Sequence, residues 1–299
     1  MMRKSFLIAF LIHLLFCISV EGKESLLVDE IGRRVKIPHS IKRIISLAPN
    51  ITEILFDLGL NEDIAGVTDF CDYPEAALNK PKIGGFVNPS MEKIVSLKPD
   101  LIIATRDGNR PETIQTLEDL GFSVYVTDPK GFDGVMKTIK DMGEVLGRGD
   151  ESRRIIRNMM IKKEYIVKLT QSLPKPSVFF QVGESPMITV GRETLANDLI
   201  RLAGGRSISE NERMNYPLYS VETVISKAPE IIIISSMESK KNYLNLIKKW
   251  QNWKSIPAVK MNAIYVVDSN LVDRPTLRIV EGLEAIVRII HPEALGEKR

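Results

Sequence analysis

Short apolar runs alternate along the chain with amphipathic stretches of helical periodicity. Runs that predict strands lie at 43–47, 64–67, 101–104, 124–126, 178–182 and 263–267. Stretches that predict helices lie at 52–59, 90–97, 111–120, 132–146, 193–203 and 277–290. A small hairpin is predicted over 26–37, around the turn at Glu30-Ile31-Gly32. Since several strands are apolar on both faces, this alternation predicts α/β lobes built on parallel sheets.

One segment of this pattern occurs twice, 130 residues apart. Residues 90–103 read SMEKIVSLKPDLII, and residues 220–233 read SVETVISKAPEIII. In each copy a serine precedes a short helical stretch as its N-cap, a proline ends the helix and an apolar strand follows. The spacing is too long for a solenoid repeat. We therefore predict two similar lobes that face each other across a groove, an arrangement typical of binding proteins.

The segment between the two lobes predicts a long helix. Residues 151–172 run for about six turns without Gly or Pro, Asp150 is the predicted N-cap, and Pro174 and Pro176 end the helix. Because a continuous helix is a stiff connection, we expect little relative motion of the lobes. The predicted domains are a signal peptide at 1–22, an N-terminal α/β lobe at 23–149, an interdomain helix at 150–173 and a C-terminal α/β lobe at 174–299.

The first 22 residues have the pattern of an export signal. Two basic residues precede an apolar run at 5–20, and small residues that suit cleavage follow. The apolar run is shorter than the about 20 residues that a membrane-spanning helix needs. We expect an exported, periplasmic and soluble mature protein. Cys17 offers the alternative of a lipoprotein anchor, although Phe16 stands where acylation sites carry a small residue.

Composition and charge narrow the classes of function. With 44% hydrophobic and 26% charged residues, the chain has the composition of a folded domain rather than a disordered one. The net charge of +3, with no basic stripe, argues against nucleic acid as a partner. The pairs Lys240-Lys241 and Lys248-Lys249 are expected on a solvated helix face. Once the leader is removed, Cys71 is the single cysteine, and we expect it to be a packing residue.

Residues suited to metal binding or catalysis are scarce. Outside the leader only His39 and His291 occur, and neither belongs to a cluster with metal-ligand spacing. The chain has no Gly-x-Ser-x-Gly, no phosphate-binding glycine loop and no Ser/His/Asp set. We therefore expect no catalytic residue, no metal and no cofactor. The alternatives are an exported α/β hydrolase, which would need a nucleophile and a base, and a sensory module, which would need a fused signalling segment.

Glu92 and Glu222 occupy equivalent positions in the two copies of the repeat. Each lies in a predicted first helical turn, where a carboxylate complements the helix dipole. As a pair, one per lobe, they would also project from one side of the molecule. Two separated carboxylates suit docking onto arginines of a symmetric partner, and we predict that role for them.

Aromatic residues follow strand ends in both lobes. Phe70, Tyr73 and Phe86 fall in such loops of the first lobe, and Tyr216 and Tyr219 in the second. Since ligands of open α/β sheets bind outside the carboxyl ends of the strands, these rings predict a large, flat, partly apolar ligand. Phe86 and Tyr216 are the better candidates for the cleft, whereas Tyr73, followed by proline, is expected to pack under its loop.

Four segments carry a resemblance to a known family. They are Ala48-Pro49-Asn50-Ile51-Thr52-Glu53, Asp72-Tyr73-Pro74, Ser90-x-Glu92-x-Ile94-Val95-x-Leu97-Lys98-Pro99-Asp100-Leu101 and Arg274-Pro275-x-x-Arg278-Ile279-Val280. With them the chain resembles the helical-backbone group of substrate-binding proteins, which serves cobalamin, haem and ferric siderophores, and especially its cobalamin-binding members. The resemblance extends from about Arg43 to His291, nearly the whole mature chain.

The resemblance implies a monomer of two Rossmann-like lobes joined by one rigid α-helix, the class III architecture of periplasmic binding proteins. It also implies a ligand in the cleft and docking to a dimeric ABC permease with its ATPase, through Glu92 and Glu222. The ligand-binding residues that we predict are Pro49, Asn50, Phe70, Phe86, Tyr216, Asn270 and Arg274. For Arg274, contact with an anionic group in the cleft and a structural salt bridge are both open.

The chain departs from the cobalamin-binding members at four positions. They typically carry tyrosine where this chain has Phe70, tryptophan at Phe86 and at Tyr216, and aspartate at Asn270. We expect a non-enzymatic binding protein that delivers cobalamin or a related corrinoid to an ABC importer. Cobinamide, a ferric siderophore or haem would also fit. Convergent arginines would favour a siderophore, and an axial-ligand residue would favour a tetrapyrrole.

Overall fold

An antiparallel hairpin opens the part of the chain that the computed structural model describes, residues 25–236 and 240–296. Strand β1 (Ser25–Val28) pairs with β2 (Arg34–Ile37), as predicted. The side chain of Arg33 pairs with Asp29 at 2.7 Å and donates to the carbonyl oxygen of Val124 at 2.9 Å, which fastens the hairpin to the first sheet. The predicted signal peptide and Cys17 lie outside the described residues.

The first lobe is built on a four-stranded sheet in which every pairing is parallel. Its strands, in sheet order, are β4 (Ile64–Val67), β3 (Ile44–Ser46), β5 (Leu101–Thr105) and β6 (Val124–Thr127). Its helices are α1 (Pro49–Asp57), α2 (Met91–Ser96) and α3 (Pro111–Asp119). Helix α1 begins before its periodic stretch because proline, which lacks an N–H, is accommodated in a first turn. The hydroxyl of Ser90 caps α2 by accepting the N–H of Lys93 at 3.3 Å.

Two helices lead from the first lobe to the second, α4 (Gly131–Val145) and α5 (Gly149–Thr170). With 22 residues, α5 is about 33 Å long. The prediction that Asp150 caps this helix is wrong. The carbonyl of Arg148 already accepts the first helical N–H, from Ser152, so Arg148 takes the cap position. Asp150 lies exposed in the first turn and pairs with Arg153.

The second lobe contains a five-stranded sheet that only partly repeats the plan of the first. Its strands are β7 (Ser177–Glu184), β8 (Met187–Thr189), β9 (Arg206–Ser207), β10 (Ile231–Ser236) and β11 (Ile264–Asp268). Strands β7, β9, β10 and β11 pair in parallel, but β8 runs antiparallel to β7. Only Ser185 and Pro186 connect β7 to β8, and so short a connection can join only antiparallel strands. The prediction that the two lobes have the same strand arrangement is therefore wrong at the β8 edge of the second sheet.

The helices of the second lobe flank its sheet. They are α6 (Leu195–Leu202), α7 (Val221–Lys227), α8 (Lys240–Gln251), α9 (Pro257–Lys260), α10 (Ser269–Val272) and α11 (Ile279–Ile290). Ser220 caps α7 through the N–H of Thr223 at 3.2 Å, which repeats the Ser90 cap. Lys248 and Lys249 are exposed on α8, as predicted. Among the described residues, no helix is long and apolar enough to cross a membrane.

One hydrophobic core extends through both lobes. It includes Ile44 and Ile103 of the first sheet, Ile155 of α5, and Phe180 and Leu283 of the second lobe. Separate clusters cover the outer faces of the two sheets. Because α5 contributes buried side chains to the shared core, it is packed against protein along its length rather than suspended between the lobes.

Candidate functional site

A cavity of about 800 Å³ lies between the lobes. It is situated beyond the carboxyl ends of the strands, with Thr105 at the end of β5 and Asp268 at the end of β11 in its wall. All seven predicted ligand-binding residues line it: Pro49, Asn50, Phe70, Phe86, Tyr216, Asn270 and Arg274. Its volume lies within the range of about 300–1,000 Å³ that is usual for small-molecule sites.

The aromatic rings that line the cavity come from both lobes. Phe70 in the first lobe and Tyr216 in the second are 59% and 50% exposed and present open faces. Phe86 is half-buried and packs against the shared core. Burial in the cleft raises the pKa of Tyr216 to about 12, and the negative charges of Asp107 and Asp273 contribute to this shift. Its phenol is therefore neutral at physiological pH.

Two residues that the sequence reasoning missed position Phe86. Gly108 has φ +119°, and a Cβ there would lie 2.0 Å from Cζ of the Phe86 ring, so only glycine lets the ring occupy its place. The buried Asn109 amide donates to the carbonyl oxygens of Leu47 and Phe86, both at 3.0 Å, and accepts the N–H of Thr105 at 2.9 Å. The Gly-Asn pair just after an apolar strand was the signal in the sequence for these roles.

The loop that carries Tyr216 is held against the second sheet in a similar way. The N–H of Gly191 donates to the carbonyl of Asn215 at 2.8 Å, and the N–H of Thr189 donates to that of Pro217 at 3.1 Å. A Cβ on Gly191 would lie 1.9 Å from the Met214 carbonyl oxygen. In each lobe, therefore, a glycine permits the close packing that fixes a cleft aromatic.

The remaining predicted aromatics serve packing rather than the cavity wall. The guanidinium of Arg278 stacks over the Tyr73 ring at 4.1 Å from its centroid. Tyr73 is nevertheless 45% exposed, so the prediction that it packs under its loop is wrong. Tyr219 stacks on Phe179 with ring centroids 6.4 Å apart. Its hydroxyl donates to Glu212 at 3.0 Å, so the placement of Tyr219 with the cleft rings is wrong.

One amide in the cavity wall has an unused donor. Asn50 is only 5% exposed, and its Nδ2 has no hydrogen-bond partner among the described residues. Buried polar groups are nearly always hydrogen-bonded, so an unpaired donor here is unusual. Because the Nδ2 atom is itself buried, it can meet a ligand carbonyl only after the amide turns toward the cavity.

An ionic cluster joins the lobes at the cavity wall. Nη1 of Arg274 lies 3.1 Å from Oε1 of Glu53 on α1 and 2.7 Å from Oδ1 of Asp72, while Nη1 of Arg278 lies 3.8 Å from Oε2 of Glu53. Glu53 is 1% exposed, and burial raises its pKa despite the two arginines. Of the two roles left open for Arg274, the structure shows the salt bridge, although the residue also lines the cavity.

Asp57, one turn after Glu53, gives the cluster a pH dependence. Burial, and then the charge of Glu53, raise the pKa of Asp57 from 3.8 to about 7. Between these values the folded state binds this proton more tightly than the unfolded chain, so stability falls as pH rises through about 7. We expect Asp57→Asn to raise the free energy of unfolding at pH 8 by about 1–3 kcal/mol and to change it little at pH 4.5. Denaturant unfolding at both pH values measures this.

Asp150→Asn is the matched control, because the carboxylate that it removes is fully open to solvent on α5. It should leave the pH dependence of unfolding unchanged. A loss of stability in Asp57→Asn at pH 8 would mean that attraction to Arg278 outweighs burial at this carboxylate.

The two repeat glutamates lie outside the cavity wall. Glu92 and Glu222 are both exposed in the first turns of α2 and α7. Hydrogen bonds from its own backbone N–H and from Ser220 lower the pKa of the Glu222 carboxyl. The folded chain therefore presents an exposed carboxylate at equivalent points of the two lobes.

Cysteine and histidine make no reactive cluster in the described residues. Cys71 is buried as predicted, and its Sγ lies 3.1 Å from the hydroxyl of Thr52 and 3.2 Å from that of Thr68. His39 is exposed, while His291 is buried beside Glu293. Within residues 25–236 and 240–296, no group of three or more His, Cys, Asp or Glu side chains is arranged to hold a metal ion.

Comparison with known proteins gives a consistent picture. The model of the family described as "Periplasmic binding protein" matches residues 44–271. The vitamin B12-binding protein of Vibrio vulnificus (strain CMCP6) is 31% identical over 260 residues, covering 87% of this chain and 93% of that protein. The periplasmic vitamin B12 binding protein BtuF of Vibrio cholerae superposes with a TM-score of 0.75 at 27% identity, over 86% of this chain and 99% of that one.

A third similar protein bears a different description. The structure of a possible iron-binding (periplasmic solute-binding) protein from Staphylococcus epidermidis superposes with a TM-score of 0.72 at 31% identity, over 84% of this chain and 99% of that one. The match to the family model and the agreement of the two-lobed, helix-joined fold lead to one conclusion: the chain belongs to the periplasmic binding protein family, with the class III architecture.

Proposed function

We propose that this protein captures a corrinoid, such as cobalamin, in the cavity between its lobes and delivers it to the permease of an ABC importer. The observation that carries the proposal is the cavity itself, where aromatic rings from both lobes meet in an arrangement suited to a flat macrocycle. The relatives from Vibrio, which are named for vitamin B12, support the same ligand class.

The polar groups of the wall suit the edge of a corrinoid. A corrin ring carries carboxamide side chains, each with a carbonyl acceptor and N–H donors. The unpaired Nδ2 of Asn50 can donate to such a carbonyl once the amide turns toward the cavity. The faces of Phe70, Phe86 and Tyr216 provide contact area for the ring, so the site offers both kinds of contact that a corrinoid needs.

The wider arrangement belongs to the same proposal. Residues 1–22 direct export to the periplasm, with a lipid anchor at Cys17 as the alternative. The protein acts as a monomer without enzymatic activity or a resident cofactor, and docks on a permease dimer powered by its ATPase. Glu92 and Glu222 make that contact. The lobes are residues 23–149 and 174–299, and residues 150–173 join them.

The second candidate function is delivery of a ferric siderophore or haem. The Staphylococcus epidermidis protein supports it through its description as possible iron-binding. The salt bridges of Arg274 argue against an anionic iron chelate as the ligand. The guanidinium that such an anion would need already donates to Glu53 and Asp72. Haem presents the same difficulty, since its propionates would need a cation in the cleft.

Titration calorimetry of the mature protein with cyanocobalamin, cobinamide, haemin and a ferric hydroxamate tests the proposal. We expect binding of the corrinoids, and affinity weakened at least ~10-fold in Gly108→Ala, because the new Cβ displaces the Phe86 ring from the wall. Gly121→Ala is the matched control. Gly121 also has positive φ, at +87°, but a Cβ there meets nothing within 4 Å, so this variant reports backbone strain alone.

The results of this titration distinguish the two candidate functions, and they separate displacement of the Phe86 ring from backbone strain. Binding of haemin or the hydroxamate without any corrinoid would overturn the corrinoid assignment in favour of the second candidate. Equal weakening in Gly108→Ala and Gly121→Ala would show that strain, rather than the place of the Phe86 ring, sets affinity.

A further inference from the structure

Carboxylates outnumber cations in the cavity wall. Among the described residues that line the cavity, two are basic, Lys130 and Arg274. The acidic residues of the wall are Asp69, Asp72, Asp107, Asp128, Glu193, Asp268 and Asp273. Both lobes contribute to the set, so a ligand between the lobes has carboxylates on either side.

Both cations lie beside protein carboxylates. Arg274 is bound by Glu53 and Asp72 at 3.1 and 2.7 Å. Nζ of Lys130 lies 3.7 Å from Asp128 and 3.8 Å from Glu193. An anionic ligand could recruit Arg274 only by leaving the buried Glu53 without its closest cation, and losing one partner of a buried pair is costly. Each of these two cations is therefore offset by two carboxylates, Arg274 in close contact and Lys130, which is 47% exposed, more loosely.

Some of the carboxylates have no counterpart at all. In the described part of the chain, Asp69 and Asp107 have neither an ion pair nor a side-chain hydrogen bond. Asp107 and Asp273, which belong to different lobes, line the cavity together with Tyr216, and their charges contribute to the raised pKa of its phenol. A ligand packed against Tyr216 is consequently exposed to negative potential from two directions.

From these contacts we infer that the cleft selects its ligand by the charge of the side chains on the macrocycle, accepting rings whose side chains are carboxamides or carry a positive charge and rejecting rings that carry carboxylates. The inference rests on the proposed corrinoid function and narrows its ligand class. Carboxamide N–H groups can donate to the unpaired carboxylates of the wall. A carboxylate in the same place removes those donors and adds like-charge repulsion, a direct way to exclude a ligand of the same shape.

Cyanocobalamin and two of its derivatives, all with the same phosphodiester, separate the charge of the ring side chains from shape. The parent is neutral, hydrolysis of one peripheral carboxamide gives a nearly isosteric monocarboxylate, and coupling of that carboxylate to ethylenediamine gives an aminoethyl amide with one positive charge. In calorimetry at low salt we expect the monocarboxylate to bind at least ~10-fold more weakly than the parent, and the cationic amide at least as tightly as the parent. High salt should narrow these differences, because it screens charges in an open cleft.

The variant Asp69→Asn/Asp107→Asn links the effect to the wall. Neither carboxylate has a structural partner among the described residues, so the fold should tolerate the change, and the preference for the parent over the monocarboxylate should fall several-fold. Asp119→Asn removes an exposed carboxylate of the same lobe outside the cavity and should leave the preference intact. Equal affinities of the wild type for parent and monocarboxylate would overturn this inference alone. Absence of binding by the parent and by both derivatives would overturn the proposed function, and this inference with it.

Discussion

Reversal of charge at both repeat glutamates, Glu92→Arg with Glu222→Arg, is expected to reduce ligand uptake at least ~10-fold while the affinity for ligand stays unchanged. Both carboxylates are exposed, occupy the same position in the two lobes and lie outside the cavity wall. Arginine in their place would face the cations of the proposed permease surface, and like-charge contacts at an interface cost several kcal/mol. Uptake into proteoliposomes that contain the permease and ATPase, with calorimetric titration of the same variant, measures both quantities.

A matched control separates docking from helix electrostatics. Glu112 in α3 and Glu281 in α11 are likewise exposed glutamates in first helical turns, one in each lobe. Reversing both should cost the same dipole energy, about 0.3–1 kcal/mol per site, without affecting uptake. Equal uptake by the Glu92/Glu222 variant and this control would contradict the docking assignment.

Replacement of Arg274 by methionine is expected to lower the free energy of unfolding by about 3 kcal/mol at pH 8. Glu53 would remain almost fully buried without its closest cation, since the next guanidinium, that of Arg278, is 3.8 Å away. The deficit should shrink as pH falls, because Glu53, whose pKa burial already raises, can then become neutral by protonation. Denaturant unfolding at pH 8 and pH 5 provides the measurement.

Two further variants make this result specific to the cluster. Glu53→Gln/Arg274→Met removes the stranded charge and should recover much of the loss. Arg201→Met removes an arginine that is 67% exposed and pairs with Asp198, and should cost less than about 1 kcal/mol. A loss in Arg274→Met no larger than in Arg201→Met would mean that the cluster contributes little to joining the lobes.

The regular elements were largely predictable because they depend on local sequence. Apolar runs indicated the strands of the first sheet, and the capping hydroxyls of Ser90 and Ser220 lie where the repeat predicted them. The predictions of the α5 cap and of the β8 strand direction failed, because backbone contacts determine both. The carbonyl of Arg148 already serves as the cap of α5, and the two-residue link to β8 reverses the strand direction.

The candidate site was predictable to the extent that its position follows from topology. Residues after strand ends line the cavity, so Phe70, Phe86 and Tyr216 could be chosen without coordinates. The pairing of Glu53 with Arg274 could not, because 221 positions separate the two residues and neither carries a local signal for the other. Net charge was also uninformative, since a chain with formal charge +3 encloses a distinctly acidic cleft.

Because one hydrophobic core extends through both lobes, the two copies of the duplicated lobe can no longer be separated. Side chains of the first sheet, the long helix α5 and the second lobe share one continuous interior. A break between the lobes would expose apolar faces on both pieces, at about 25 cal/mol for every Å² uncovered. The two halves have therefore become interdependent, and neither is a portable module that could be exchanged with the corresponding half of a relative without rebuilding the interior that they hold in common.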